Sequence, residues 1–212
     1  MRIDFVSDVT CPWCAIGFTA LERALERLGG EVPVELHLQP FELNPDMPPE
    51  GEDIVRYMGR KYGLTAEQVA ERRAVIRERG AAVGFDFGPR THVWNTFDAH
   101  RMLHWAGLEG RGRELKRALL AAYHGRGENP GSHEVLLRLA GEAGLDAGRA
   151  SDVLEGGGFA AEVREQERHW QRLGIRSVPS VIVERRHLIQ GGQPVEVFEN
   201  ALREIAAGRE PA

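Results

Sequence analysis

The two cysteines of the chain, Cys11 and Cys14, lie in the stretch CPWC. Thiol–disulfide exchange needs an exposed thiolate and a second thiol that can resolve a mixed disulfide. If the pair opens a helix, free backbone N–H groups and the helix dipole lower the pKa of the first thiol. Cys14 then lies one turn along the same face, where it can close a disulfide. The spacing therefore predicts a redox couple, with Cys11 as nucleophile and Cys14 as resolving thiol.

Two other interpretations compete with the redox couple. A structural zinc site usually needs four ligands, and one CxxC pair supplies two. His100 and His104 are spaced as a second ligand pair on a predicted helix, but they lie far beyond the short separation of a finger-type site. We therefore predict no metal site. Two inert, buried thiols are the remaining alternative.

The elements around the pair are those that a redox site requires. RIDFVSD alternates as a strand, with Ile3 and Phe5 on one face. Helical spacing of apolar residues follows CPWC as far as the stop at Gly29, and Pro12 suits the first helical position because it has no N–H. PVELHLQP then alternates again. Residues 2 to 39 thus predict a strand, the CxxC pair, a helix and a second strand.

The rest of the chain predicts a helical insertion followed by a return to the α/β pattern. FELNPDMPPEGE is rich in turn formers, with Asn44 and Pro45 making the turn. Helical segments then follow one another, interrupted by a Gly- and Pro-containing break at GFDFGPRTHVW. After residue 156 we predict a helix, a β-hairpin around Arg185 and a last helix that starts at Pro194. The predicted organisation is an α/β domain over residues 1–45 and 156–212, with a helical subdomain over residues 46–155.

Pro179 directly precedes a predicted strand in GIRSVPSVIV. An X-Pro bond has little preference for the trans isomer, so a cis bond is physically accessible here. Because proline has no N–H, the backbone of Val178 is left to pair with an extended substrate. An ordinary trans-proline that opens a strand is the alternative.

In combination these motifs resemble the DsbA family of the thioredoxin superfamily. DVTCPWCAIG, PFELNP, NTFDAHRMLHWA and EVLLRLAGEAGLD are similar to its FrnE-like branch, whose members are thiol-disulfide oxidoreductases or isomerases. The resemblance covers nearly the whole chain. It implies a thioredoxin fold with an inserted all-helical subdomain that partly covers the active site, and a cis-proline loop at Val178–Pro179 facing CPWC. It also implies protein or peptide thiols and disulfides as substrates.

The residues near the pair depart from the family in two respects. Periplasmic members carry His inside the CxxC, where this chain has Trp13, so we expect a less acidic Cys11 and a less oxidising disulfide. Many FrnE-like chains carry an aromatic residue where this chain has Ala15. Pro12 and Trp13 are predicted to contact substrate, Trp13 as an apolar lip or as a packing residue.

Two polar residues are predicted to support the site. Asp8 precedes Cys11 by three positions and is either a proton relay or a cap of the loop and helix. Asn95 opens a predicted helix and is either a substrate-binding residue or a helix cap.

Other functions remain open from the sequence. Kappa-class glutathione transferases and 2-hydroxychromene-2-carboxylate isomerases are similar in their helical segments and in an Asn-Thr pair like Asn95-Thr96, but they use a single serine-like group. A polyketide-pathway isomerase is a further alternative, intermediate in function between these enzymes and the dithiol enzymes. A non-catalytic binding module is the last alternative, and in it the cysteines would have no chemical role. No cofactor is expected beyond the redox disulfide, with glutathione as a candidate reductant or co-substrate. Neither the direction of exchange nor the oligomeric state is indicated.

Composition excludes some partners. The 27 basic and 32 acidic residues of the chain give a net charge of -5, and this balance predicts no basic surface for nucleic acid. No apolar run approaches the ~20 residues that span a bilayer, and MRIDFVSDV lacks the pattern of a signal peptide. We therefore expect a cytoplasmic protein, where a close cysteine pair favours transient redox chemistry over a structural disulfide.

Overall fold

Strands near both ends of the chain flank a long run of helices in the computed structural model, which describes residues 1–209. In chain order the elements are β1 (Arg2–Ser7), α1 (Pro12–Leu28), β2 (Glu35–Pro40), β3 (Glu52–Asp53), α2 (Ile54–Tyr62), α3 (Ala66–Val83), β4 (His92–Val93), α4 (Phe97–Leu108), α5 (Gly112–Leu120), a π-helical turn (Ala121–Gly125), α6 (His133–Glu142), α7 (Ala147–Glu155), α8 (Ala160–Arg172), β5 (Ser180–Val183), β6 (His187–Gln190) and α9 (Val195–Ala206).

A four-stranded mixed sheet, in the order β2-β1-β5-β6, carries the cysteine pair at the end of its strand β1. β1 and β2 run parallel because α1 crosses over between them, whereas β5 and β6 join as antiparallel strands. The β5–β6 turn has positive φ at Glu184 and Arg185 and closes with a bond from Arg186 N to Val183 O. The predicted βαβ unit and C-terminal hairpin are both present.

The alternation of β1 divides its side chains between two cores. Ile3 and Phe5 pack on one face beneath α1 and α9, with Val181 and Val183 of β5. Val6 points to the other face, where it packs in a separate cluster that includes Trp170 of α8. Because successive strand residues face opposite sides, this short strand is covered on both faces.

The helices between β2 and β5 form a further core from α4 to α7, which is the helical insertion predicted from the sequence. From outside this run, the buried Val9 packs in this core and the partly buried Leu38 of β2 packs against it. A buried carboxylate on α1, Glu22, pairs with Arg113 and Arg117 of α5 and ties the insertion to the sheet half.

The insertion also contains a feature that the sequence analysis missed. β3 and β4 form a two-stranded ladder, with Glu52 opposite Val93 and Asp53 opposite His92. Glu52 ends the segment that we expected to be a loop, Asp53 begins a segment that we expected to be helical, and β4 falls in the expected break between helices. Two-residue strands are too short to show alternation, so no periodicity could have indicated them.

Candidate active site

The cysteine pair begins α1 as the sequence predicted. Cys11 is the N-cap, with φ -81° and ψ 116°, and Pro12 occupies the first helical position. The backbone carbonyl of Cys11 accepts bonds from the N–H groups of Cys14 and Ala15, at 3.0 and 3.3 Å. Cys14 is fully buried, whereas Cys11 retains 5% exposure and lines a cleft. Only the first thiol is therefore accessible to a second molecule.

The two thiols differ in acidity. The pKa of Cys11 is lowered, first by its hydrogen bond with the Cys14 side chain and also by the backbone N–H groups of Cys14 and Trp13, against the opposing effects of burial and of Asp8. Burial, together with the same contact to Cys11, raises the pKa of Cys14 well above its ordinary value. This asymmetry suits a first thiol that attacks and a second that waits as a neutral thiol.

The proline loop faces the pair. The peptide bond between Val178 and Pro179 is cis, and the Cys11 thiol lies 3.7 Å from the carbonyl oxygen of Val178. Pro179 packs on α1 at Gly17, where a Cβ would come within 3.0 Å of the proline ring. The absence of a side chain at residue 17 thus lets this loop approach the helix that carries the cysteines.

Asp8 organises the loop before Cys11. Its carboxylate accepts bonds from Thr10 N at 3.0 Å, Leu43 N at 2.7 Å and Thr96 Oγ1 at 3.0 Å, and His100 Nε2 lies 3.8 Å away. Although burial opposes ionisation, His100 and the backbone donors hold the pKa of Asp8 below its ordinary value. An ionised carboxylate with so many donors is a poor proton acceptor, so this arrangement favours the capping interpretation of Asp8.

The same loop is held from the other side by two residues that sequence reasoning missed. Arg90 Nη1 donates to the carbonyl of Thr10 at 3.1 Å and lies 3.3 Å from His124 Nδ1. His124 Nε2 lies 2.9 Å from the carbonyl of Val9, so Nε2 carries the proton and Nδ1 accepts from Arg90. Burial, and then the charge of Arg90, lower the pKa of His124 well below its ordinary value. No motif around these residues indicated this contact.

A cleft of about 490 Å³ opens beside Cys11, between the start of α1 and helices α2 and α3. Such a volume is in the range of small-molecule and side-chain sites. Its walls are largely apolar and aromatic, with two arginines: Thr10, Cys11, Pro12, Trp13, Leu43, Asn44, Ile54, Tyr57, Met58, Tyr62, Arg72, Val75, Ile76, Arg90 and Val93.

Exposed apolar side chains gather around this cleft. Trp13, Tyr62 and Val75 are 38%, 51% and 48% exposed, which is unusual for such large hydrophobic groups. Trp13 also packs on Gly192. A Cβ at residue 192 would lie only 2.9 Å from the backbone oxygen of Trp13. Trp13 therefore combines the two interpretations made from the sequence, a lip of the cleft and a packing residue.

Asn95 lies outside the lining of the cleft beside Cys11, and its role in substrate binding stays a prediction. Its Oδ1 accepts from Phe97 N at 2.8 Å, at the start of α4, and its Nδ2 donates to Met47 O at 3.1 Å. Both ends of the amide are engaged in the fold, and Oδ1 holds the first N–H of α4 as a capping side chain does. The neighbouring Thr96 side chain turns inward to Asp8.

Comparison with known proteins places this arrangement in a family. The family model described as the DSBA-like thioredoxin domain matches residues 2–203. The chain belongs to this DSBA-like thioredoxin family. It is similar to the probable DsbA oxidoreductase SCO1869 from Streptomyces coelicolor, with 33% identity, a TM-score of 0.91, and coverage of 100% of this chain and 92% of that one.

Two further proteins are similar to this chain. The uncharacterized protein YwbO of Bacillus subtilis (strain 168) is 28% identical over 206 residues, which cover 95% of this chain and 96% of that protein. The cytosolic disulfide reductase DsbM from Pseudomonas aeruginosa, solved with GSH, has a TM-score of 0.68 at 20% identity, covering 98% of this chain and all of that one. At this identity the likeness to DsbM concerns the fold.

Within residues 1–209 the structure contains neither a metal-binding cluster nor a membrane-spanning helix. No group of three or more His, Cys, Asp or Glu side chains in that range is arranged to hold a metal ion. No helix in the same range is long and apolar enough to cross a membrane.

Proposed function

We propose that this DSBA-like chain is a thiol-disulfide oxidoreductase or isomerase whose working couple is Cys11 and Cys14. The observation that carries the proposal is their asymmetry: Cys11 opens onto a cleft with a lowered pKa, and Cys14 lies buried one turn behind it with a raised pKa. Two inert thiols have no need of this difference.

In the proposed reaction, the Cys11 thiolate attacks a substrate disulfide and forms a mixed disulfide, releasing one substrate thiol. Cys14 then attacks the Cys11 sulfur, which releases the second thiol and leaves a Cys11–Cys14 disulfide. An extended substrate lies against Val178 and Pro179, since the Val178 carbonyl is already in contact with the Cys11 thiol. In the opposite direction a substrate dithiol reduces the pair.

The cleft sets a preference for the substrate group next to the reacting sulfur. Its walls favour an aromatic or aliphatic group, held between Trp13, Tyr62 and Val75. Arg72 lines the same cleft and is exposed, so a carboxylate on that group gains a favourable charge interaction. We therefore propose apolar or aromatic residues, with acidic groups near them, beside the substrate cysteine.

Insulin disulfide reduction with dithiothreitol tests the function directly. We expect catalysis by the wild type, loss of catalysis in Cys11→Ser, and accumulation of a mixed disulfide in Cys14→Ser, because the first step survives and the second does not. Far-ultraviolet circular dichroism of each variant controls for folding. Activity that persists in a folded Cys11→Ser variant excludes the dithiol mechanism.

A second candidate, a glutathione-dependent transferase or isomerase of small molecules, draws on the cleft of about 490 Å³ beside Cys11. That chemistry needs one thiol-binding group and no resolving thiol. Glutathione conjugation or isomerase activity retained at the wild-type rate in Cys14→Ser, together with no insulin reduction by the wild type, would favour it. Glutathione as the reductant, and location in the cytoplasm, stay predictions of the sequence analysis.

A further inference from the structure

A second cavity, of about 410 Å³, lies next to the cleft beside Cys11. Its walls come from α3, from the segment between α3 and β4, and from the π-helical turn. Ile76 and Arg90 line both cavities, so these two side chains separate one from the other. We name the second the arginine cavity, after Arg73, Arg77 and Arg90 in its lining. Neither cysteine lines it, so the proposed thiol chemistry leaves it without a role.

The positive charges of the arginine cavity are not balanced by carboxylates. No acidic residue lines the cavity, and none of its three guanidinium groups forms an ion pair within residues 1–209. Arg73 donates to the carbonyl oxygen of Arg90, and Arg90 donates to that of Thr10. Many arginines on other helices pair with carboxylates, as Arg117 does with Glu22 at 2.7 Å. The cations of this cavity therefore retain N–H donors for an anion from solution.

The sequence of α3 explains why two of these charges lack partners. Arg73 and Arg77 lie four residues apart on one face of the helix, where like charges repel, and no acidic residue stands three or four positions from either. Burial, and then the charge of Arg90, lower the pKa of Arg73. The carboxylate of Asp53 acts on Arg73 through its charge, but it caps α2 and makes no ion pair with it. A bound anion would relieve this repulsion.

The wall of the cavity that follows α3 in the chain is held firmly in place. Gly88 N donates to the carbonyl oxygen of His124 at 2.9 Å, and a Cβ at residue 88 would lie 1.9 Å from the oxygen of Gly125. Glycine is therefore required for the wall to lie this close to the π-helical turn. The rings of Phe87 and His124 meet edge to face, with centroids 5.4 Å apart. Short π-helical segments are frequent at functional sites.

Guanidinium groups beside an apolar wall select one class of ligand. A planar guanidinium matches the oxygens of carboxylate and phosphate with paired N–H donors. Three such cations attract a group with two negative charges more strongly than a group with one. Ile76 and Phe87 offer apolar surface to the body of an organic molecule, and about 410 Å³ is in the range of small-molecule sites.

We propose that the arginine cavity binds a small organic dianion, either a phosphomonoester or a dicarboxylate. Its charged end lies among the three arginines, and its apolar body lies against Ile76 and Phe87. The inference goes beyond thiol–disulfide exchange and does not depend on it, because no cysteine lines the cavity. Since Arg90 also donates to the carbonyl of Thr10, the ligand contacts a residue that supports the loop before α1.

Isothermal titration calorimetry of the reduced full chain with phenyl phosphate tests the ligand class, at about pH 7.5, where this ester is largely dianionic. We expect one site per chain and about tenfold weaker binding of benzoate, which has a single charge. Inorganic phosphate lacks the apolar body and should also bind about tenfold more weakly. Phenylsuccinate is the dicarboxylate probe, and the tighter of the two dianions identifies the kind of ligand.

Arg77→Gln tests the location of the site. Arg77 is exposed and makes no side-chain hydrogen bond to the described residues, so its replacement leaves the fold intact. We expect about tenfold weaker binding of phenyl phosphate in this variant and no measurable binding in Arg77→Glu. Arg79→Gln, on the same helix outside the cavity lining, and Arg72→Gln, in the cleft beside Cys11, are the controls. Each should change the affinity less than about threefold.

Four outcomes would overturn the proposal. Wild type that binds neither dianion at millimolar concentration has no such site, and benzoate binding as tightly as both dianions excludes the ligand class. Equal weakening in Arg77→Gln and Arg79→Gln indicates general attraction by charge. Weakening in Arg72→Gln with normal binding in Arg77→Gln places the anion in the cleft beside Cys11.

Cys11→Ser separates this inference from the proposed function. The variant should bind phenyl phosphate as the wild type does while losing insulin disulfide reduction, because Cys11 lies outside the arginine cavity. Wild type that binds the dianion without reducing insulin would defeat only the proposed function. Wild type that reduces insulin without binding either dianion would defeat only the arginine cavity as a site.

Discussion

Glu42→Gln is predicted to stabilise the protein at alkaline pH. Glu42 lies two residues beyond the end of β2, and its side chain is 2% exposed. Arg164 of α8 contacts both Glu42 and Glu167, at 2.8 Å for Glu167, yet one oxygen of each carboxylate has no hydrogen-bond partner within the described residues. Burial, and then the charge of Glu167, raise the pKa of Glu42 to about 8.

The size of the effect follows from the difference between the folded and unfolded states. An unfolded chain releases the proton of a glutamic acid near pH ~4.3. Between that pH and about 8, the folded protein keeps a proton that the unfolded chain has lost, so its free energy of unfolding decreases as the pH rises. The slope is ~1.4 kcal/mol per pH unit, which accumulates to roughly 5 kcal/mol above pH 8. Below about pH 4 the contribution vanishes because both states are protonated.

Urea unfolding of wild type and Glu42→Gln under reducing conditions, from pH 5 to 9, measures this difference. His124 acts in the opposite sense below pH ~6.5, because its folded pKa is lowered; subtracting the two curves removes it. We expect the stability advantage of the variant to grow up to about pH 8 and then level off, while the exposed control Glu50→Gln stays parallel to wild type. Parallel curves for Glu42→Gln over the whole range would refute the reasoning.

In the native protein at pH 7, iodoacetamide should alkylate Cys11 well before Cys14, since Cys14 is buried and its pKa is raised; equal rates by peptide mass mapping would contradict this. Arg72→Gln should slow the reaction with anionic 5,5′-dithiobis(2-nitrobenzoate) about two- to fivefold but not with neutral 4,4′-dithiodipyridine, and the effect should vanish in high salt. Arg79→Gln, exposed on the same helix outside the cleft lining, is the control; equal slowing in both variants would exclude a local role. Asp53 caps α2 through Val55 N and Arg56 N, so Asp53→Ala should lower the free energy of unfolding by about 1 kcal/mol, and unchanged urea unfolding would exclude that contribution.

Local patterns predicted the parts of the fold that local chemistry determines. Alternation in RIDFVSD, the proline after Cys11 and the stop at Gly29 are sufficient to define β1 and α1, and they place the pair at a helix N-terminus. A proline before a β-strand indicated the loop that meets Cys11. Each of these signals acts over a few residues.

The parts that were missed depend on contacts between distant segments. Arg90 lies 80 residues beyond Thr10, whose carbonyl it binds, and Lys116 lies 109 residues beyond Ser7. An arginine or lysine inside a polar or helical stretch looks like any solvated residue until the fold shows what it touches. For Asn95, the sequence offered both a cap and a binding role, and its contact with the carbonyl of Met47, 48 residues away, could not be read from the local pattern.

The loop between β1 and α1 is held by parts of the helical insertion as much as by the sheet. Val9 packs in the core of the insertion, His124 lies at the carbonyl of Val9, and Arg90 donates to that of Thr10. A shortened protein that kept the sheet and CPWC would retain both sulfur atoms but lose the supports that orient the residues before them. Exchanging the insertion between family members should therefore alter the reactivity of the cysteines together with the shape of the cleft. Neither property can change through the insertion without affecting the other.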